Sequence, residues 1–261
     1  MQPIATVLTA LCFAAITHGE IQPAEKTAAP AEKTIVENGE IADGGYRYTI
    51  ETTETPDLTE WAHSTLVPVI EKWYPLLVKA LPSEGFTAPQ TFSITFTNSY
   101  QGVAATAGNR VMCAPNWFRQ NLKGEALGAI VHELVHVVQQ YGHARRPGAV
   151  RGPGWITEAI PDYLRWYQYE PQSHGADIRP GNIERARYDA SYRTSANFLN
   201  YVTTHHDKDL IAALNTAMRE GSYDAEFWKK RTQHSVEELA EAWKKSLSES
   251  SAKPTPDQLP R

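Results

Sequence analysis

The chain has 261 residues, a formal net charge of -5 and a pI near 6.0. That length holds one large domain or two small lobes, with ample core to bury. The balance is mildly acidic and the charges are spread rather than blocked, so nothing electrostatic points to nucleic acid or an anionic membrane as a partner.

An apolar run from Ile4 to Ile16 opens the chain, bounded by Gly19 and Glu20. It is too short to span a bilayer comfortably and sits where a secretory signal sits, although no positive residue precedes it. The expectation is a signal peptide over residues 1–19, a secreted or periplasmic protein, and no membrane attachment once the signal is removed. A short N-terminal membrane anchor or a buried helix is the alternative. Removal of the signal would leave Cys113 as the only cysteine, in an apolar setting that suits a buried, inert thiol. Residues 20–44 include "PAEKTAAPAEKT" and read as a linker. Residues 249–261 are polar and Pro-rich and read as a disordered tail. The folded part is then a single domain over residues 45–248. No stretch marks an oligomer interface.

"YRYTIETT" alternates from Tyr46 to Ile50 and predicts a strand. From Asp57 a helical stretch repeats Leu58, Trp61, Leu66, Ile70, Trp73 and Leu77 on recurring turns, ending near Pro82. Phe92, Ile94 and Phe96 then alternate with Thr91, Ser93 and Thr95 in a half-buried strand. One or two short strands with a turn at Gly108-Asn109 follow. Beyond residue 124 the periodicity is helical almost throughout. Strands first and helices later make the chain α+β.

Between Gly124 and Tyr141 the apolar positions Leu127, Ile130, Val131, Leu134, Val135 and Val138 form one helical stripe. His132 and His136 lie off it, one turn apart on one face, as two ligands of a single metal require. Glu133 is rotated one step, where its carboxylate can reach a water rather than the metal. This is H-E-x-x-H, the helix of zinc metalloproteases. The bland alternative is a polar cluster beside a core, which still needs partners for its buried polar groups.

A catalytic zinc takes three protein ligands and leaves one position open. A third histidine six residues after the second is excluded, because position 142 is Gly and His143 is one residue out of register. A glutamate on a following helix is the other solution. In "GPGWITEAIPDYLRWYQ", Ile156, Ala159, Ile160, Tyr163, Leu164 and Tyr167 make a second core stripe, with Glu158, Asp162 and Arg165 on the opposite face. Glu158 becomes the third ligand. Asp162 is one turn further on, placed to accept the second ring N–H of a zinc histidine. The alternative is a solvated face with an Arg165 ion pair. Pro161 sits inside this helix and removes one of its hydrogen bonds if the helix starts near Gly154. If the helix instead starts at Pro161, Glu158 lies just outside it.

"HELVH" followed by "TEAIPD" resembles the thermolysin-type zinc peptidases, in which a glutamate in an E-x-x-x-D helix completes the site. A wider set resembles the basic secretory protein family of zinc peptidases: "GVAATAGNRV", "HELVHVVQ", "GWITEAIPDYLR", "SYRTSANFLNYV" and "SVEELAEAWKKSL", across roughly residues 45 to 247. The chain departs from that family's name in being acidic, and the loop from His136 to Glu158 is longer than the resemblance leads one to expect. The resemblance implies a zincin-like fold: a small N-terminal twisted sheet on the active-site helix, then a mainly helical C-terminal lobe. It also implies that an edge strand within Gly102 to Cys113 takes a peptide or protein substrate as an added antiparallel strand.

The expected function is therefore a secreted metallopeptidase with Zn2+ as cofactor. A zinc-activated water attacks the peptide bond, with Glu133 as general base and then acid. The first choice for a donor to the oxyanion is Tyr192, followed by Tyr188 and the pair His205-His206. His63, His174 and His234 read as surface or capping residues. Two alternatives stand beside this reading: a zincin-fold binding or defence protein without turnover, and a zinc hydrolase of non-peptide substrates.

Overall fold

The computed structural model describes residues 34–143, 148–190 and 192–252. The expected signal peptide and most of the expected linker lie outside the described residues, as does the tail from residue 253.

Five strands form one mixed sheet: β1 (Val36–Ile41), β2 (Tyr46–Glu51), β3 (Thr91–Phe96), β4 (Ala104–Ala107) and β5 (Arg110–Cys113). Their order is β1-β2-β3-β5-β4. The outer pairs are antiparallel hairpins, while β2–β3 and β3–β5 are parallel. β1 lies inside the segment read as a linker, so that boundary is corrected. Its residues look polar because an edge strand buries little; only Ile41 is buried. Pairing of Val36 with Glu51 through Ile41 with Tyr46 supplies the order that apolar patterning does not.

Alternation decides the sheet's faces. Tyr48, Ile50, Phe92, Ile94, Phe96, Val111 and Cys113 all point to the buried side. In register, Ile50 pairs with Ile94 and Ile94 with Val111, so an apolar band crosses the three central strands. Cys113 is the buried thiol expected, and burial raises its pKa well above the usual value.

The stretch after β2 winds through α1 (Thr59–Trp61), a π-helical turn at Ala62–Leu66 and α2 (Val67–Ala80). It carries the chain over the sheet from β2 to its parallel neighbour β3. After α3 (Pro115–Asn121) comes α4 (Ala126–Gln139). The stripe predicted for α4 is buried apart from half-buried Leu127, but so are His132, Glu133, Val137 and Gln139. The polar side faces protein and a cleft. α4 is the central element, packed against α2, β4 and the helix that follows.

That next helix is α5 (Gly154–Leu164), which includes Pro161 and therefore starts early, with Glu158 inside it. α6 (Tyr192–His205), α7 (Leu210–Glu220), α8 (Glu226–Thr232) and α9 (Val236–Ala252) complete the helical part. Phe198 of α6 packs against Trp155, Trp228, Trp243 and Tyr188. Trp228 and Trp243 are fully buried, and truncating either to Ala would cost about 3–5 kcal/mol. The "SVEEL" capping box forms, since Glu238 N–H donates to Ser235 Oγ and Ser235 N–H to Glu238. α9 runs to Ala252, past the expected boundary at 248.

Candidate metal centre

His132 and His136 project from one side of α4, and Glu158 reaches them from α5. His132 Nε2 and His136 Nε2 are 3.2 Å apart. Glu158 Oε2 is 3.2 Å from His136 Nε2 and 3.4 Å from His132 Nε2. The three donor atoms form a near-equilateral triangle, the arrangement that ligands of one cation take. The edges fit one: tetrahedral zinc with bonds of about 2.0–2.1 Å places adjacent ligand atoms about 3.3 Å apart. Among the described residues this is the group of three that could hold a metal ion.

Burial opposes a charged His132, yet hydrogen bonds to Asp162 and Glu158 outweigh it and raise its pKa to about 9. Burial likewise pushes Glu158 up, and hydrogen bonds from both histidines override it to hold the carboxyl at about 2.

Each histidine has its second nitrogen anchored. His132 Nδ1 donates to Asp162 Oδ1 at 2.7 Å, and Asp162 is buried. His136 Nδ1 donates to Gln139 Oε1, also at 2.7 Å. Sequence reasoning missed the second partner, Gln139. Its orientation has a chemical cause. Gln139 Nε2 donates to the carbonyl of Thr157 at 3.0 Å, and a carbonyl can only accept. The amide oxygen must therefore face His136, so Nδ1 carries the proton and the Nε2 lone pair is free for a metal. Thr157 lies four residues before Pro161, so its carbonyl is the one that Pro161 leaves without an intrahelical donor. The gap that the proline makes in α5 is the socket for Gln139. A glutamine three residues after a ligand histidine was the available sequence signal.

Glu133 is buried beside the cluster, with its Oε2 accepting from Thr106 Oγ1 at 2.7 Å. Thr106 is on β4, the edge strand, so the sheet edge and the carboxylate meet directly. This residue too was missed, because its partner is 27 positions away. Arg165 does not pair with Glu158 or Asp162. It binds Glu125 at 3.0 Å and Glu170 at 2.6 Å, leaving both α5 carboxylates to the histidines.

Of the three donor candidates, Tyr192 alone lines the cleft, its ring 5.9 Å from that of His132. Glu158, burial and Asp162 raise its hydroxyl pKa, so it stays protonated. Tyr188 packs into the aromatic cluster between Trp155 and Phe198. His205 stacks on Tyr201 and His206 lies against His234, away from the cluster. His63 and His174 are exposed and His234 is half-exposed; each lies beside a carboxylate.

The cleft over these groups has a volume of about 1800 Å³ and runs from β4 past the His-His-Glu cluster to the segment before α6. A family model described as "peptidase of plants and bacteria" matches residues 35–243. The chain belongs to that family. The match begins one residue before β1, in keeping with the corrected boundary. No curated protein and no solved structure matches the chain. Membership of a peptidase family and a cluster able to hold a metal together identify the cleft as the candidate site for an enzyme.

Proposed function

We propose that this protein is a secreted, zincin-like zinc metallopeptidase. The observation that carries the reading is the His132, His136, Glu158 triangle with Glu133 beside it in an open cleft. Two imidazoles and one carboxylate are a donor set used by catalytic zinc, which keeps a fourth position open. When bound, zinc would acidify a water toward neutrality and polarise the scissile carbonyl.

The chain's own groups do the rest. Glu133, oriented by Thr106, accepts a proton from the attacking water and passes it to the leaving amine. The Tyr192 hydroxyl donates to the oxyanion as the carbonyl becomes tetrahedral. Asp162 and Gln139 hold the two imidazoles in the tautomer that offers Nε2. The peptide lies along β4, pairing with its free edge, so that its backbone is held without regard to most side chains.

Zinc-supplied protein is to be incubated with a diverse peptide mixture beside Glu133→Gln, and the products read by mass spectrometry. Glu133→Gln should keep one zinc and lose turnover about 10³-fold. Tyr192→Phe should keep zinc and KM while kcat falls about 10²-fold. Zinc in every variant with no cleavage by the wild type would favour a binding protein or a hydrolase of other bonds. Absence of stoichiometric zinc would remove the ligand assignment itself.

A further inference from the structure

The cleft lining holds five guanidiniums and five carboxylates, but they are not paired one to one. Its lining carboxylates all have partners. Glu125 pairs with both Arg165 and Arg193, Asp177 with His174, Glu133 with Thr106, and Glu158 and Asp162 with the histidines. The lining guanidiniums divide differently. Arg165 and Arg193 are consumed by Glu125, whereas Arg151, Arg179 and Arg185 have no described carboxylate within ion-pairing distance.

Arg185 is held nonetheless. Its Nη2 donates to Asn182 Oδ1 at 3.1 Å, a neutral acceptor that orients the guanidinium without cancelling its charge. Arg179 and Asn182 flank the short turn at Pro180–Asn182, and Arg179, Asn182 and Arg185 all line the cleft. The lining is also one-sided in its choice of cation: it has five Arg and no Lys, in a chain with eleven Lys and a net charge of -5. Arginine offers a planar fork that meets a carboxylate in two parallel hydrogen bonds; lysine offers a point charge.

We propose that Arg179 and Arg185 form a carboxylate-binding subsite, and that the substrates of this cleft are peptides carrying a carboxylate that the subsite engages. The proposal deepens the peptidase reading and rests on it for the substrate's being a peptide. The carboxylate has two possible sources, an Asp or Glu side chain and a free C-terminus.

Binding to zinc-loaded, full-length Glu133→Gln separates this from turnover. Three degenerate heptapeptide pools with fluorescein on the N-terminus serve as probes: central Glu with an amidated C-terminus, central Gln amidated, and central Gln with a free C-terminal acid. Anisotropy should show one acidic pool binding about tenfold more tightly than the amidated Gln pool, as expected for charged hydrogen bonds. That preference should fade with added salt. It should also vanish when Arg179→Gln and Arg185→Gln are added, with unchanged thermal stability showing that both exposed substitutions leave the fold intact. Tighter binding of the Glu pool assigns the subsite to a side chain; tighter binding of the free-acid pool assigns it to a chain end. Equal binding of all three pools, or a preference that survives loss of both arginines, overturns the proposal. If acidic pools bind preferentially while the wild type cuts nothing, the subsite stands and the peptidase reading falls.

Discussion

Two buried polar networks meet at helix α4, and they are built on opposite plans. At its C-terminal end, Arg219 of α7 donates to the carbonyls of Gln139, Val138 and Leu81 and to Ser83 Oγ, all at 2.7–3.0 Å. Its guanidinium also lies 3.6 Å over the Phe86 ring. Burial lowers its pKa, but only to about 10, so it remains charged. This is a cation supplied by the chain to the negative end of a helix, with its partners supplied by the chain as well. One turn earlier, the His132, His136, Glu158 triangle has its outer atoms tied down by Asp162 and Gln139 and its inner atoms aimed at one point. The first network is closed and stabilises. In the second, each imidazole has its outer nitrogen partnered while three donor atoms converge, a group that could hold a metal ion.

The strongest way to break that comparison is His136→Ala. It should abolish stoichiometric zinc, and the rise in Tm that zinc gives the wild type should disappear, because a ligand stabilises only a state that binds it. A zinc-dependent Tm shift surviving in His136→Ala would place the metal elsewhere. Arg219→Leu should act on the other network alone. Leaving several buried carbonyls unpaired should cost about 3 kcal/mol in urea denaturation. Zinc affinity of the folded fraction should be unchanged. The smallest effect sharpens the border between the two networks, at Gln139, which serves both: its backbone carbonyl binds Arg219 and its side chain binds His136. Gln139→Leu should keep the backbone contact and weaken zinc about 10-fold to 100-fold by competition with a chelator. Gln139→Glu, which retains an acceptor for His136 Nδ1 but loses the donor to the Thr157 carbonyl, should recover part of that affinity. Equal loss in both variants would mean that Gln139 acts by packing and not by fixing the tautomer.

Much of the architecture was legible in local pattern. The period-2 alternation of Phe92, Ile94 and Phe96 and the 3.6-residue stripe of α4 follow from which face of each element meets apolar neighbours. β1 was not legible, because "VENGEI" buries one residue and owes its order to pairing with β2. His132, Glu133, His136 and Glu158 could be named because two ligands on one helix turn, and a third on the next helix, are constraints of spacing. The same spacing proposed Asp162.

Gln139, Thr106 and the arginines of the cleft wall were a different matter. Pro161 showed in the sequence that a carbonyl of α5 would lack its helical donor, but only the packing of α4 on α5 decides that Gln139 fills the place. Thr106 and Glu133 are brought together by the folding of an edge strand onto a helix. The arginines are countable in the sequence, yet which are paired depends on where Glu125 and Glu170 come to rest. Chain-local periodicity and ligand spacing are short-range properties that a sequence carries by itself. The partner of a polar atom is a long-range one, chosen by whichever donor or acceptor tertiary packing carries to within about 3 Å, and that choice belongs to the fold.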